Sequence, residues 1–240
     1  MGLADDLTSE VGEIFRLTWD IQDAKVIPDP DDVRLGNHGK KLDATVLYAD
    51  LADSTDLVNA YPTEPFFPAE IYKAYLTCAA RIIRERGGEI TAYDGDRIMG
   101  IFKSDTQNND AVRAAFQING AVTKIINPKL KAQYPNRDFT VRHAVGIDTG
   151  SLLAARIGVR NYNDLVWVGR PANYAAKLCS LRVDDYATWI TGEVFDQLYR
   201  SAKVSSDGRE YWEQRQWTAR NNLKVYRSSW WWGVDHNPAY

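Results

Sequence analysis

The chain has 240 residues, 45% of them hydrophobic and 25% charged, with a net charge of −3. That is the balance of an ordinary globular protein, and its acidic sign argues against nucleic acid or an anionic membrane as a partner. No run approaches the ~18 apolar residues of a membrane span, and the start, MGLADDLTSE, has neither the basic nor the apolar stretch of a signal peptide. Asp6 stands where a myristoylation signal needs Ser or Thr. The two cysteines, Cys78 and Cys179, read as free core thiols, which points to a reducing cytoplasm.

In chain order, residues 1–43 read as an N-terminal extension, with Leu7, Val11, Ile14 and Phe15 on one helical face and a loop around Pro28 and Pro30. Residues 44–240 read as a single domain. A strand is expected at 44–50, then a Pro-rich loop, then an amphipathic helix through Ile71, Tyr75, Cys78 and Ile82 that stops at Gly87–Gly88. Two short strand-like runs flank the turn Asp94–Gly95–Asp96, which predicts a hairpin. A helix from Asp110 to Asn127 follows, then a strand from Phe139 to Ile147 with Gly146 and Gly150 around its end, and an apolar run at Leu165–Val168. A helix from Pro171 to Leu181, strands at Trp189–Thr191 and Leu223–Tyr226, and a helix between them (Glu193–Arg200) complete the pattern. The order β-α-β-β-α-β with additions is that of a ferredoxin-like core, in the α+β class. The tail Trp230–Trp232 reads as a hydrophobic cover, with a partner contact as the alternative.

The chemistry centres on ATVLYADLADST, where an apolar run delivers Asp50 and then breaks into the turn Asp53–Ser54–Thr55. Asp96 lies in the hairpin, and a β-α-β-β arrangement makes the two strand ends neighbours. Two carboxylates brought that close repel unless a positive charge sits between them. A pair of hard cations, Mg²⁺ or Mn²⁺, answers the repulsion and leaves positions for phosphate oxygens, to which the turn can offer backbone N–H groups. His38, His143 and His236 are too scattered for a metal site, and Asp148 beside Gly150 reads as a turn residue.

Three stretches carry a family resemblance: YADLADST, AYDGDRIMGIF and LVWVGRPANYAAKLCSL. In this order they resemble the motifs of class III nucleotide cyclases, covering Leu42 to Val225. The resemblance implies a head-to-tail homodimer with two shared active sites, where the ribose 3′-OH attacks the α-phosphate and expels pyrophosphate. It assigns Asp50, Asp96 and the Leu51 carbonyl to two divalent cations, Asn173 to the ribose and Lys177 to the α-phosphate. The family usually has arginine at Lys177, and lysine lacks the bidentate fork. Arg220 aligns loosely with a triphosphate contact, with a solvated loop charge as the alternative.

Two positions depart from the family. Its purine-reading residues correspond to Ala92 and Val166, which carry no polar group. Losing such a pair alters substrate choice. Tyr48 occupies a place that flanks the base, and Asp94 and Arg97 lie beside it. The N-terminal stretch from Leu17 to Thr55 is similar to the stand-alone pyrimidine cyclases of bacterial Pycsar anti-phage systems, whose product activates a separate effector. The resemblance implies a cyclic pyrimidine nucleotide, cyclic UMP or cyclic CMP, and UTP is the favoured substrate because an acid such as Asp94 can accept from the uracil N3–H, as it can from the cytosine N4 amine. The alternatives are CTP, an adenylate or promiscuous cyclase, and a catalytically silent nucleotide-binding regulator.

Overall fold

A computed structural model of the chain describes residues 2–159 and 161–236. The elements are α1 (Leu3–Arg16), β1 (Asp20–Asp23), β2 (His38–Leu51), α2 (Ser54–Ala60), α3 (Phe66–Glu85), β3 (Gly88–Asp94), β4 (Arg97–Phe102), α4 (Gln107–Ala121) and α5 (Asn127–Gln133). They continue with β5 (His143–Val159), β6 (Tyr162–Val168), α6 (Arg170–Leu178), β7 (Thr188–Thr191), α7 (Gly192–Asp196), β8 (Glu213–Trp217) and β9 (Leu223–Ser228). The sheet runs β3-β4-β2-β5-β7-β9-β8, with β1 paired to β2 and β6 to β5. Strands β2, β3, β4 and β5 with helices α3 and α4 form the expected ferredoxin-like βαββαβ unit, and β7, β9 and β8 widen it on one side.

Several elements differ from their expected extents for identifiable reasons. Strand β2 begins at His38 rather than 44, because its first residues pair with β1 on one edge (Asp20 opposite His38) and β5 on the other (Gly39 opposite Ala155). Strand β5 starts at His143, four residues later than Phe139. Asn127 takes both backbone groups of Val141, donating to its C=O at 3.0 Å and accepting from its N–H at 2.8 Å, so no ladder forms there. Beyond Gly146 and Gly150, where an end was expected, β5 runs on to Val159 because β6 pairs with it. Asp148 is therefore no turn residue: it lies inside β5, fully buried, bonded to Thr191 at 2.6 Å and ion-paired with Arg170 at 3.2 Å. The helix from Asp110 starts earlier, at Gln107, and passes through a π turn (Val122–Ile126) into α5, which absorbs Pro128. Helix α7 is shorter than expected, ending at Asp196.

Alternation along β2 divides the core. Leu47, Ala49 and Leu51 pack under α3 and α4 with Tyr75, Ile83 and Phe116. Val46 and Tyr48 face the other side, with Met99, Leu152 and Ala172. Helix α6 lies on that second face, pressed onto Gly146: a Cβ there would meet the Ala175 carbonyl at 2.1 Å. The C-terminal segment returns to α4. A Cβ on Gly120 would meet the Trp232 carbonyl at 1.8 Å, and Asn119 Nδ2 donates to the Trp230 carbonyl at 2.9 Å. Trp232 is buried against Phe116, the expected hydrophobic cover, while Trp231 stays 42% exposed. No helix among the described residues is long and apolar enough to cross a membrane.

Behind the Leu51 end of β2, His143 is buried between Tyr75 Oη (3.4 Å) and Asn119 Oδ1 (3.2 Å). Burial pulls its pKa down to about 3, with Arg182 acting in the same direction. The unfolded chain therefore takes up a proton here that the folded chain refuses, and this residue's contribution to stability is lost as pH falls from about 6.5 toward about 3. In chemical denaturation across that window, His143→Gln is expected to lower the slope of unfolding free energy against pH by up to one proton relative to wild type. Equal slopes would show that His143 titrates normally in the fold.

Candidate active site

Register places the two acids. Asp50, the penultimate residue of β2, sits opposite Arg97, and Asp96 precedes Arg97 in the turn between β3 and β4. Burial raises the Asp50 pKa, and the Asp96 carboxylate raises it further, against the opposing guanidiniums of Arg182 and Arg97. Asp96 keeps one carboxylate oxygen, Oδ2, buried with no hydrogen-bond partner. A carboxylate oxygen left in that state costs free energy unless a cation meets it.

One cation already reaches Asp50. Arg182, beyond the end of α6, donates from Nη2 to Asp50 Oδ2 at 3.0 Å and to the Leu51 carbonyl at 3.1 Å, while Nη1 bonds the Cys179 carbonyl. Its guanidinium thus bridges two of the three groups expected to bind metal. Nothing local in the sequence marks Arg182, because the contact joins positions 132 residues apart. The donor set fits a hard divalent cation: two carboxylates, a carbonyl, an orphaned buried oxygen and a tethered positive stand-in. Among the described residues no group of three or more His, Cys, Asp or Glu side chains is arranged to hold a metal ion.

The turn after β2 puts Asp53 in the left-handed region (φ 59°), where its carboxylate pairs with Arg142. The first helical bond of α2 runs from Leu57 N–H to the Asp53 carbonyl at 2.9 Å. The amides of Ser54, Thr55 and Asp56 precede it and lack an i−4 acceptor. On the same face of β2, Tyr48 is half-buried, with the Arg97 guanidinium 5.5 Å from its ring centroid and Arg97 bonded to Asp94 at 2.9 Å. Burial raises the Tyr48 pKa. Asp50, Leu51, Asp96, Tyr48, Asp94 and Arg97 therefore come together at one end of the sheet.

Of the remaining candidates, Ala92 lies in one row with Met99 and Tyr48 across β3, β4 and β2, on the same face of the sheet. Asn173 and Lys177 lie one turn apart on the exposed face of α6, whose inner face is Ala172, Ala175 and Leu178. Ala92 is exposed on β3. Val166 is 42% exposed, and it is its neighbour Trp167 that joins the cluster containing Tyr48. Arg220 is half-buried, with its guanidinium 5.6 Å from the Trp217 ring, and Trp217 in turn meets Tyr174 of α6 at 5.6 Å. Arg220 thereby falls on the α6 side, with Asn173 and Lys177. Arg170 fixes the start of α6 through Asp148 and Glu193.

The fold and the paired strand-end acids define a nucleotide cyclase of class III architecture. Solved structures agree on the fold: the guanylyl cyclase Cya2 matches with TM-score 0.66 at 17% identity (84% of this chain, 98% of that one). The adenylyl cyclase CyaB from P. aeruginosa matches at 0.65 and 19% identity (79% and 95%). The non-canonical dimeric guanylyl cyclase domain of the RhoGC fusion protein from Blastocladiella emersonii matches at 0.58 and 15% (79% and 97%). No protein-family model matches. Curated relatives are far closer in sequence. Uridylate cyclases of Xanthomonas perforans and Burkholderia cepacia are each 48% identical over 236 residues, covering 98% of this chain and 100% of theirs. One from Rhodovulum sp. is 38% identical over 96% of this chain and 98% of its own. The chain belongs to the uridylate cyclase family.

Arg182 yields a direct expectation. A metal that takes Asp50 and Leu51 must displace its guanidinium. Arg182→Gln is therefore expected to bind Mn²⁺ about tenfold more tightly without nucleotide, the equivalent of ~1.4 kcal/mol, in a titration following free Mn²⁺ by electron paramagnetic resonance. Equal or weaker binding would show that Arg182 and the metal do not compete.

Proposed function

We propose that the protein converts UTP to 3′,5′-cyclic UMP and pyrophosphate, at sites shared between two copies of the chain. The observation that carries this is the pairing of Asp50 with Asp96 beside the Tyr48–Arg97 wall, in a chain whose full-length relatives are named uridylate cyclases. In the reaction the ribose 3′ oxygen forms a bond to the α-phosphorus. The bond from that phosphorus to the bridging oxygen of the β-phosphate breaks, pyrophosphate leaves, and the hydroxyl proton goes to solvent.

Asp50, Asp96 and the Leu51 carbonyl would hold two divalent cations, Mn²⁺ or Mg²⁺, which supply charge neutralisation and lower the pKa of the attacking hydroxyl. The amides at Asp53–Thr55 would receive phosphate oxygens. Asn173 would orient the ribose, Lys177 would meet the charge gathering on the α-phosphate, and Arg220 would hold the triphosphate. Asn173 and Lys177 sit on the exposed side of α6, with Arg220 linked to that helix through Trp217 and Tyr174, while the acids lie at the strand ends. That separation supports a site completed by a second copy.

For the base, Tyr48 offers an aromatic wall, and the Asp94–Arg97 pair offers an acceptor beside donors. Uracil presents N3–H between two carbonyls, which such a pair complements. Ala92 and Val166 would leave a purine without polar readers on the facing subunit. The similarity to Pycsar cyclases supports a role in anti-phage defence, with the cyclic nucleotide acting on a separate effector. Free cysteines and acidic charge support the cytoplasm as its place.

Incubating the protein separately with ATP, GTP, CTP and UTP in Mn²⁺, with chromatography of the products, is expected to yield cyclic UMP at least tenfold above any other cyclic nucleotide. A product that is mainly cyclic AMP would overturn the base assignment. Mixing Asp50→Ala protein with Asn173→Ala protein is expected to restore up to about a quarter of wild-type activity, since random pairing leaves one intact site in half of the dimers. Two folded, dimeric variants that stay silent together would exclude the shared site.

A further inference from the structure

Helix α1 has no place to bury its apolar face. Leu3, Leu7, Val11 and Ile14 form a stripe along it, continued by Phe15, which is 85% exposed, and no residue of α1 is buried. The helix has a proper start, with the Gly2 N–H bonded to Asp5 Oδ2 at 3.1 Å and acids in the first turn. A 14-residue helix with its stripe in water is nevertheless marginal. Asp6 and Glu10 flank the stripe on one side, and neither makes a salt bridge among the described residues.

A complementary surface lies elsewhere on the same chain. An open groove of about 490 Å³ runs between α3 and the π turn leading to α5. Its floor is apolar, with Ile71, Ala74, Cys78, Ile125 and Leu130; the charged lining residues are Lys73, Lys129 and Glu70, and Glu70 accepts a hydrogen bond from Tyr134. Neither lysine has a salt-bridge partner among the described residues. An apolar floor with two free cations matches an apolar stripe flanked by acids, in the manner of a helix laid into a groove.

The helix cannot reach the groove of its own chain. Asn37 Nδ2 donates to the carbonyls of Ile14 and Leu17 at 2.9 and 2.8 Å, and β1 pairs with β2 at His38, so α1 is tethered to the His38 end of β2. The groove belongs to the other end. Tyr72 of α3 bonds the Ser54 carbonyl at 3.5 Å, and Tyr75 reaches His143, which stands opposite Leu51. Those ends of β2 are about 40 Å apart at ~3.3 Å per residue. From Ile14 to Leu3 the helix extends only about 17 Å at ~1.5 Å per residue.

We propose that α1 docks into the α3–α5 groove of a second copy of this chain, each helix crossing to the far end of its partner. The contact is additional to the shared catalytic site and rests on the dimer proposed above. Its test uses the thiol already in the groove. Leu7→Cys and Val11→Cys, on the stripe, are expected to form a disulfide-linked dimer with Cys78 under mild oxidation, seen as a band of doubled mass on a non-reducing gel. Ser9→Cys, on the opposite side of α1, is expected to give at least tenfold less of it, and adding Cys78→Ser is expected to abolish it. If neither stripe variant cross-links to Cys78 while light scattering shows a dimer and the mixed-variant assay restores activity, the α1 contact falls and the shared site stands. A disulfide formed within one chain would also overturn the proposal. A chain that is monomeric by light scattering would overturn the dimer itself.

Discussion

The repulsion between Asp50 and Asp96 is the constraint the rest of this structure answers. The β2–β4 register brings the carboxylates close, and burial makes the Asp50 charge more costly. Without a counter-charge the strand end would be destabilised. Arg182 meets Asp50 and the Leu51 carbonyl, yet leaves Asp96 Oδ2 without a partner. A single tethered guanidinium thus answers Asp50 and leaves one carboxylate oxygen of Asp96 unanswered, the deficit that the proposed divalent cations would meet.

That division of labour also explains the placement of the other charged groups. Arg97 is held by Asp94 and lies over Tyr48, so its charge faces the base side of the cleft rather than the acids alone. Arg142 is held by Asp53 at the α2 turn, which keeps a third carboxylate from adding to the repulsion. Lys177, in contrast, has no partner in its own chain among the described residues and stands on the outer face of α6. Helix α6 has little freedom to turn it inward. Gly146 lets the helix backbone sit directly on β5, and Asp148, Thr191 and Arg170 lock its first turn. The orientation that keeps Lys177 away from Asp50 is built into the packing.

Much of this was legible in the sequence where the signal was local. The alternation through Tyr48, the Asp-Gly turn before Asp96 and the one-turn spacing of Asn173 and Lys177 each report their own geometry. The ferredoxin-like order followed from the same signals. What escaped depends on distant partners. Arg182 acquires meaning only when the chain folds back onto Asp50. Asp148 looked like a turn residue because of Gly150, although β6 pairing carries the strand past that glycine. The end of the strand expected from Phe139 was hidden in an Asn127 side chain that caps Val141. Polar residues on α4 were equally silent: Asn119 and Gln117 hold the carbonyls of the C-terminal segment, so buried polarity there serves a tail more than a hundred residues away.

Strand β2 joins these features into one mechanical element. Its Asp50 end carries the acid and the base wall, while its His38 end carries β1 and the tether of α1. Between them Thr45, fully buried, bonds both Asn108 of α4 and Thr149 of β5, at 2.8 and 3.0 Å, so the strand is pinned at mid-length to the helix layer and to its neighbour. A strand held in this way transmits displacement rather than absorbing it. If a partner seats α1, the His38 end is fixed relative to that partner, and through β2 so is Asp50. On the proposed function, the partner's Asn173 and Lys177 would have to align with a ribose and an α-phosphate held beside Asp50, and a rigid strand tied down at both ends would supply that alignment more reliably than an interface formed at the catalytic groups alone.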